Sequence, residues 1–162
     1  MKIVFLDIDG TINSHEYYMS DRCTGNLNGQ EGDIDPLCAE RINRICKETG
    51  AKIVLSSDWR ISWPCCIDRI EKGGIEKGLI IDKTPEHMWI TPTTHIKGLE
   101  NFLSRGSEIN DWLLNNKCDS YVIIDDRTDF TEEQKEHFVH INSMHGIDDM
   151  DVQLAINILN RK

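Results

Sequence analysis

The feature that most constrains this chain is a short apolar run near its start that ends abruptly in acidic residues. Ile3-Val4-Phe5-Leu6 is continuously apolar, and Asp7-Ile8-Asp9-Gly10 follows it directly. A run without polar alternation is typical of a β-strand that is covered on both faces, as strands in parallel sheets are. Parallel strands need long crossover connections, which are usually helical. The rest of the sequence is therefore expected to supply helices between further strands.

Strand and helix patterns do alternate along the chain. Strands are predicted at 51–55, 79–82, 121–124 and 138–141, and helices at 35–49, 59–72, 106–116 and 152–159. With 162 residues, the chain fits one domain, 1–162. The predicted fold is a three-layer α/β sandwich, Rossmann-like, on a mainly parallel sheet. Residues 12–34 show no periodicity and are predicted to be a long loop or small flap.

Polar residues follow three of these strands. Asp7 and Asp9 follow the first strand, Ser56 the second and Asp125-Asp126 the fourth. Because ligands bind beyond the carboxyl ends of parallel strands, these groups are expected to meet at one edge of the sheet. Four carboxylates there would repel one another unless a cation neutralised them, and Mg²⁺ prefers such oxygen ligands. The sequence therefore predicts a magnesium site, with Arg105 placed to meet a phosphate beside it.

The string Asp7-Ile8-Asp9-Gly10-Thr11, at the end of an apolar first strand, resembles the signature of the haloacid dehalogenase (HAD) superfamily, a group dominated by phosphatases. Ser56, Arg105 and Asp125-Asp126 resemble its other three motifs, in the same order. At a finer level, phrases such as Leu55-Ser56-Ser57-Asp58-Trp59-Arg60 are similar to the small HAD domains found alone in bacteria and phages and within multidomain RNA-repair proteins. The resemblance covers almost the whole chain and implies a phosphatase with little or no cap.

The resemblance and the chemistry of the side chains together imply catalytic roles. Asp7 is expected to attack phosphorus and form an aspartyl phosphate. Asp9 would protonate the leaving oxygen and later deprotonate the attacking water. Ser56 would donate a hydrogen bond to a phosphoryl oxygen, and Arg105 would stabilise charge on the transferring group. The commoner family pattern has lysine where this chain has Arg105, so Lys97 is a rival for that role.

The expected ligands of Mg²⁺ are the Asp7 side chain, the Asp9 carbonyl oxygen and one carboxylate of the pair Asp125-Asp126. The resemblance implies Asp126 as the direct ligand. Asp125 would orient Asp126 or act through water. The residues expected to contact substrate are Gly10, which also allows a sharp turn, Thr11, Ser57 and Arg60.

The nature of the substrate is left more open. The interval 12–34 is too short for a full cap domain, and the interval 57–104 must also hold a helix and a strand of the core. An open site suits a phosphate on a large molecule, and the RNA-repair resemblance favours a nucleic-acid end. The alternatives are a nucleotide or another small phosphate ester, and a module that binds phosphate without turnover. Singly, each motif residue also has a structural interpretation: Ser56 as a helix cap, for example, or Arg60 as half of an ion pair.

Composition limits the partners and the compartment. The net charge of −10, from 18 basic and 28 acidic residues, repels nucleic acid at long range, so an enzyme acting on nucleic-acid ends would depend on a few local cations such as Arg60, Lys97 or Arg127. The apolar runs are too short to cross a membrane, and the first residues lack the apolar core of a signal peptide, so we expect a cytoplasmic protein without a membrane partner. The six cysteines are expected to be free thiols, with no disulfide-linked partner.

Overall fold

A parallel sheet forms the centre of the molecule in the computed structural model, which describes residues 1–23, 33–86 and 104–161. Its strands are β1 Lys2–Leu6, β2 Lys52–Leu55, β3 Ile80–Lys83, β4 Ser120–Asp125 and β5 Phe138–His140. Within the described ranges these strands pair in the order β3-β2-β1-β4-β5, and every pairing is parallel. The predicted α/β Rossmann-like class is confirmed.

Helices cover both faces of this sheet. They are α1 His15–Tyr18, α2 Pro36–Thr49, α3 Cys65–Lys72, α4 Arg105–Asn115 and α5 Asp149–Leu159, with 3-10 helices at Asp58–Ser62 and Glu132–His137. Val4 and Leu6 of β1 pack with apolar residues of α2, α3 and α5. Ile3 and Phe5, which point to the other face, pack with Ile109 of α4. The sheet is thus the middle of three layers.

The ends of α2 follow from local chemistry, as predicted. The Asp35 side chain accepts a hydrogen bond from the Leu37 N–H at 3.0 Å, and Pro36 occupies the first turn. Gly50 ends the helix with a φ of 73°, which favours glycine. Leu37 is exposed. Five steps of about 100° place it roughly 140° from the buried Ile42, so it lies off the apolar stripe.

The helix predicted over 59–72 is two helices. The 3-10 helix ends at Ser62, Trp63 is extended with φ −61° and ψ 136°, and α3 begins at Cys65. Pro64 explains the break, because proline disfavours helical backbone in the residue before it and donates no N–H. The segment 12–34 contains the short helix α1, and its residues 24–32 lie outside the described part of the chain.

Three neighbouring strands end at the same edge. The Asp7 N–H donates to the Ile124 carbonyl at 3.0 Å, and the Ser56 N–H donates to the Leu6 carbonyl at 2.8 Å. The last residues of β1, β2 and β4 therefore lie side by side. This arrangement brings Asp7, Ser56 and Asp125 together, as the strand-end pattern predicts.

Two further findings concern membranes and thiols. Among the described helices, none combines the length and apolar character that crossing a bilayer would require. All six cysteines lie within the described ranges, and all are free thiols.

Candidate active site

A cavity of about 440 Å³ opens at the carboxyl edge of the sheet. Its floor contains the acidic residues that follow β1 and β4, and its rim contains parts of α1 and of the segment after β5. The residues that line it are Asp7, Asp9, Gly10, Asn13, His15, Tyr18, Ser57, Asp58, Arg105, Asp126, Arg127 and Ser143. Most of the predicted site residues thus lie in or beside one cavity.

Arg105 lies at the centre of this site and is almost completely buried. Its Nη1 donates to Asp7 Oδ1 at 2.5 Å and to the carbonyl oxygen of Ser56. The same nitrogen is 3.4 Å from Asp125 Oδ2, and Nη2 is 3.6 Å from Asp58 Oδ1. One nitrogen of the guanidinium therefore lies against groups from three different strand ends.

The helix start of α4 places Arg105 there. Arg105 is the first residue of α4, and Ser104 caps the helix by accepting a hydrogen bond from the Ser107 N–H at 3.1 Å. The Arg105 N–H donates to Asp129 Oδ2 at 2.9 Å. The backbone of Arg105 is therefore anchored at the same point from which its side chain reaches Asp7. The rival residue for its role, Lys97, lies outside the described residues.

Three carboxylates form a cluster beside Arg105. One oxygen from each of Asp7, Asp125 and Asp126 lies within 4.8 Å of the other two. Burial raises the pKa of Asp7 to about 6, although Arg105 opposes this. Burial and the neighbouring Asp7 raise the pKa of Asp125 to about 8. A single guanidinium thus leaves the cluster with unfavourable negative charge in a poorly solvated place.

These residues fit a hard divalent cation. Carboxylate oxygens are the ligands that Mg²⁺ prefers, and the buried Asp125 Oδ2 accepts no hydrogen bond from the described residues. The other oxygen, Asp125 Oδ1, accepts from the Arg127 N–H at 2.8 Å. Asp126 lines the cavity, whereas Asp125 lies behind it. The donor set is therefore suitable for a cation approached from the cavity side.

The Asp9 carboxylate is held by two donors from different segments. Trp59 Nε1 donates to Asp9 Oδ2 at 3.0 Å, and Asn13 Nδ2 donates to Asp9 Oδ1 at 2.8 Å. Asn13 Oδ1 in turn accepts from the Gly10 N–H at 2.9 Å. Each oxygen of Asp9 thus has one fixed partner, and the carboxylate remains part of the cavity wall.

Gly10 turns the chain sharply after Asp9, with a φ of 77°. A Cβ at this position would lie 2.9 Å from the carboxyl carbon of Asp126 and 2.9 Å from Ser143 Cβ. Only glycine allows the first strand end to approach Asp126 so closely. The turn that the sequence predicted is therefore also a close contact between two strand ends.

The two serines after β2 have different environments. Ser57 Oγ accepts from the Trp59 N–H at 3.4 Å and caps the 3-10 helix, so the capping interpretation considered for Ser56 applies to its neighbour. The Ser56 hydroxyl is buried and has no hydrogen-bond partner among the described residues. A buried hydroxyl normally has a partner, so the hydrogen-bonding capacity of Ser56 is unused within the described residues, although Ser56 does not line the cavity.

Two predicted substrate-binding residues lie outside the cavity. Arg60 is buried, and its Nη2 donates to Glu108 Oε2 at 2.6 Å. The geometry corresponds to the ion-pair alternative and corrects the expectation that Arg60 faces the substrate. Thr11 is completely buried, and its carbonyl oxygen accepts from the Ile147 N–H at 2.9 Å. Its side chain therefore belongs to the packing below the site.

Several cavity residues were missed from the sequence. Asn13, His15, Asp58 and Ser143 were not singled out, although the first two lie within six residues of Asp9. Ser143 follows β5, so the strand-end rule would have found it. Backbone hydrogen bonds explain its position, since the His15 N–H donates to the Ser143 carbonyl at 3.0 Å. Tyr18, from the segment 12–34 that was predicted to be a loop or small flap, also lines the cavity.

Comparison with known families agrees with this geometry. Residues 3–152 match the family described as the HAD domain in Swiss Army Knife RNA repair proteins. The chain belongs to this family. The match spans most of the chain and confirms the HAD resemblance that the motifs carried, including its RNA-repair branch. No curated protein and no solved structure matched the chain in the corresponding comparisons.

Proposed function

We propose that this HAD domain is a Mg²⁺-dependent phosphomonoester hydrolase that works through an aspartyl phosphate. The observation that carries the proposal is the contact of Arg105 with Asp7 beside a cluster of three carboxylates, in an open cavity. The membership of the chain in a HAD family supports the same reaction class.

Asp7 is the proposed nucleophile. Its carboxylate oxygen forms a bond to phosphorus while the bond between phosphorus and the leaving oxygen breaks, and Asp9 gives its proton to that oxygen. In the second step, water attacks phosphorus, Asp9 takes a proton from the water and the Asp7–phosphorus bond breaks. Asp9 lies two residues after Asp7 and lines the same cavity, which supports this division of roles.

Arg105 and Ser56 are proposed to bind the phosphoryl group. Arginine keeps its positive charge at any working pH and offers two nitrogens to two oxygens. The buried Ser56 hydroxyl, without a partner among the described residues, would donate to a third oxygen. Ser57 and Gly10 line the cavity and are placed to contact the substrate.

Asp7, Asp126 and the Asp9 carbonyl oxygen are the proposed Mg²⁺ ligands, with Asp125 acting behind Asp126. When bound, the ion would screen repulsion between the carboxylates and the phosphate and polarise the phosphoryl oxygens. The position of Asp126 in the cavity wall, with Asp125 behind it, supports Asp126 as the direct ligand.

The proposed substrate is a phosphorylated nucleic-acid end, with a nucleotide as the alternative. The description of the matched family names RNA repair proteins, and the described residues leave the cavity open on one side. Because Arg60 is buried outside the cavity, Arg127 takes its place as the proposed cationic contact. Arg127 lines the cavity, and its side chain is about half exposed.

The decisive experiment is hydrolysis of a generic aryl phosphate with and without Mg²⁺. Turnover that disappears with a chelator, returns with Mg²⁺ and is absent in Asp7→Asn supports the proposal. Binding of inorganic phosphate without any turnover would instead support a phosphate-binding module. Oligonucleotides with a 3′- or 5′-phosphate, compared with mononucleotides and sugar phosphates, then test the substrate class.

A further inference from the structure

The Asp9 carboxylate is part of a closed ring of side-chain contacts. Asp9 accepts from the Trp59 indole, and the Arg69 guanidinium lies 4.2 Å from the centre of that indole. Arg69 in turn forms an ion pair with Asp33. The contacts lead back to Asp9 through Tyr18, whose hydroxyl donates to the backbone carbonyl oxygen of Asp33 at 3.5 Å. The last member, Asn13, donates to both the Tyr18 hydroxyl, at 2.9 Å, and Asp9.

The orientation of the Asn13 amide follows from its partners. Its oxygen accepts from the Gly10 N–H, so its NH₂ group must face Asp9 and Tyr18. Asn13 is buried, so this amide has little freedom to turn. The donor that faces Asp9 Oδ1 is therefore fixed by the backbone turn that follows Asp9 itself.

The Trp59 indole is fixed independently. Its N–H donates to Asp9 Oδ2, and the stacked Arg69 guanidinium holds the face of the ring. Trp59 lies in the 3-10 helix that follows β2, so this donor comes from a different strand end than Asn13. Two rigid donors, one on each oxygen, define the plane of the Asp9 carboxylate.

From this geometry we propose that Trp59 and Asn13 are positioning residues that hold Asp9 for proton transfer to the leaving oxygen. The inference rests on the proposed function and extends it to these two residues. Each donor uses lone-pair capacity on one Asp9 oxygen and leaves the cavity side of the carboxylate for the proton that is transferred. Proton transfer depends on hydrogen-bond reach, so loss of either donor would misplace the acid without removing it.

The test compares two aryl phosphates whose leaving groups differ strongly in their need for an acid. Phenyl phosphate loses a basic phenolate that must be protonated, whereas 2,4-dinitrophenyl phosphate loses a stable anion. We compare kcat/KM because it includes the step in which the leaving group departs. Both substrates are measured in the presence of Mg²⁺. Trp59→Phe keeps an aromatic ring under Arg69 and removes the N–H donor together with part of the indole.

We expect Trp59→Phe to lower kcat/KM for phenyl phosphate about tenfold and for 2,4-dinitrophenyl phosphate less than about threefold, because only the first needs general acid catalysis. Trp112→Phe is the matched control: Trp112 Nε1 donates to Asp82 Oδ2 at 2.6 Å, an indole–aspartate hydrogen bond outside the cavity. This control should leave the ratio of the two rates unchanged.

Asn13→Asp gives a second, independent variant. It keeps an oxygen for the Gly10 N–H and replaces the donor that faces Asp9 by an acceptor. We expect the same selective loss with phenyl phosphate. In an Asp9→Asn background, Trp59→Phe should have no further effect on either substrate, because residues that act through one group are not additive.

Equal losses for both substrates in Trp59→Phe and Asn13→Asp would overturn the inference, and so would an undiminished effect of Trp59→Phe in the Asp9→Asn background. In either case the proposed phosphatase activity of the wild type would stand. A wild type that hydrolyses neither aryl phosphate would overturn the proposed function and this inference with it. Thermal unfolding of each variant shows whether the ratio is measured on folded protein.

Discussion

Arg105 Nη1 lies 2.5 Å from Asp7 Oδ1, and both side chains are almost completely buried. The two residues are 98 positions apart and belong to different elements: Asp7 follows β1, and Arg105 begins α4. The guanidinium offsets part of the negative charge of the carboxylate cluster and, in the proposed function, binds the phosphoryl group. The same contact thus serves stability and the proposed reaction.

Replacing Arg105 should therefore affect both. Arg105→Met leaves Asp7 and Asp125 without their guanidinium, and breaking a buried pair costs about 3–5 kcal/mol of unfolding free energy. Arg105→Lys should retain most of the stability and lose about tenfold or more in kcat/KM, because one ammonium cannot replace two forked donors.

Urea unfolding measures the effect on stability, and aryl phosphate kinetics measure the effect on kcat/KM. Arg44→Met is the control, since Arg44 forms an exposed pair with Asp149 that is worth about 1 kcal/mol or less. Unchanged stability in Arg105→Met would contradict the structural role.

Asp7→Asn should abolish turnover while the protein remains folded. The change is nearly isosteric, removes the nucleophile and relieves part of the charge in a buried cluster. We expect kcat to fall at least about 1,000-fold, in the range found for loss of a nucleophile. Circular dichroism checks the fold. If Asp7→Asn and the wild type hydrolyse an aryl phosphate at comparable rates, the covalent mechanism is wrong.

Asp126→Asn should weaken Mg²⁺ binding, because it removes a charged ligand from the cavity side of the cluster. Isothermal titration calorimetry measures the affinity, and we expect a loss of about tenfold or more, comparable with the effect of losing a metal-site partner. Asp58→Asn is the matched control, because Asp58 lines the same cavity but lies outside the cluster. Equal Mg²⁺ affinities in Asp126→Asn and the wild type would exclude Asp126 as a ligand.

Arg60→Ala should destabilise the protein without changing which substrates it prefers. The variant leaves the buried Glu108 carboxylate without its guanidinium, and loss of one partner of a buried pair costs about 3 kcal/mol or more. Chemical unfolding measures this loss, and the rate ratio of oligonucleotide to aryl phosphate tests the substrate side. A normal stability together with a selective loss of oligonucleotide activity would return Arg60 to the role that its spacing from Ser56 predicted.

The fold could be predicted because its signals are local. The apolar run from Ile3 to Leu6 has no polar alternation, and the structure places it at the centre of a parallel sheet with helices on both faces. Asp35 and Gly50 mark the ends of α2 by side-chain capping and backbone conformation, which depend on neighbouring residues alone. The acidic strand ends could likewise be placed together, since parallel strands end at a common edge.

The contacts that decide individual roles are long-range and could not be read from spacing. Arg60 follows Ser56 by four residues, but its partner Glu108 is 48 residues away, and only the packing of α4 brings the two together. The role of Trp59 could not be predicted from spacing for the same reason. Its sequence context favours a core residue, whereas its indole N–H reaches Asp9, 50 residues earlier. Residues 87–103, which include Lys97, lie outside the described part of the chain, so the choice between Lys97 and Arg105 depends on the geometry of Arg105.

The substrate prediction now concerns Arg127. Its guanidinium pairs with Asp129 through two hydrogen bonds of 3.0 Å. Because Arg127 lines the same cavity as Asp7, we propose it as the contact to a phosphate next to the reacting one. Because the net charge of −10 provides no long-range attraction, preference for an oligonucleotide end over a mononucleotide must come from such local contacts.

Arg127→Ala should reduce the preference for an oligonucleotide end over a mononucleotide. It should also reduce the slope of log kcat/KM against log salt concentration by about 1, the amount expected for one lost phosphate contact, while the aryl phosphate rate stays near that of the wild type. Arg44→Ala, which removes an exposed arginine paired with Asp149 outside the cavity, should change neither quantity. Faster turnover of mononucleotides or sugar phosphates by the wild type would contradict the nucleic-acid substrate and leave the phosphatase activity in place.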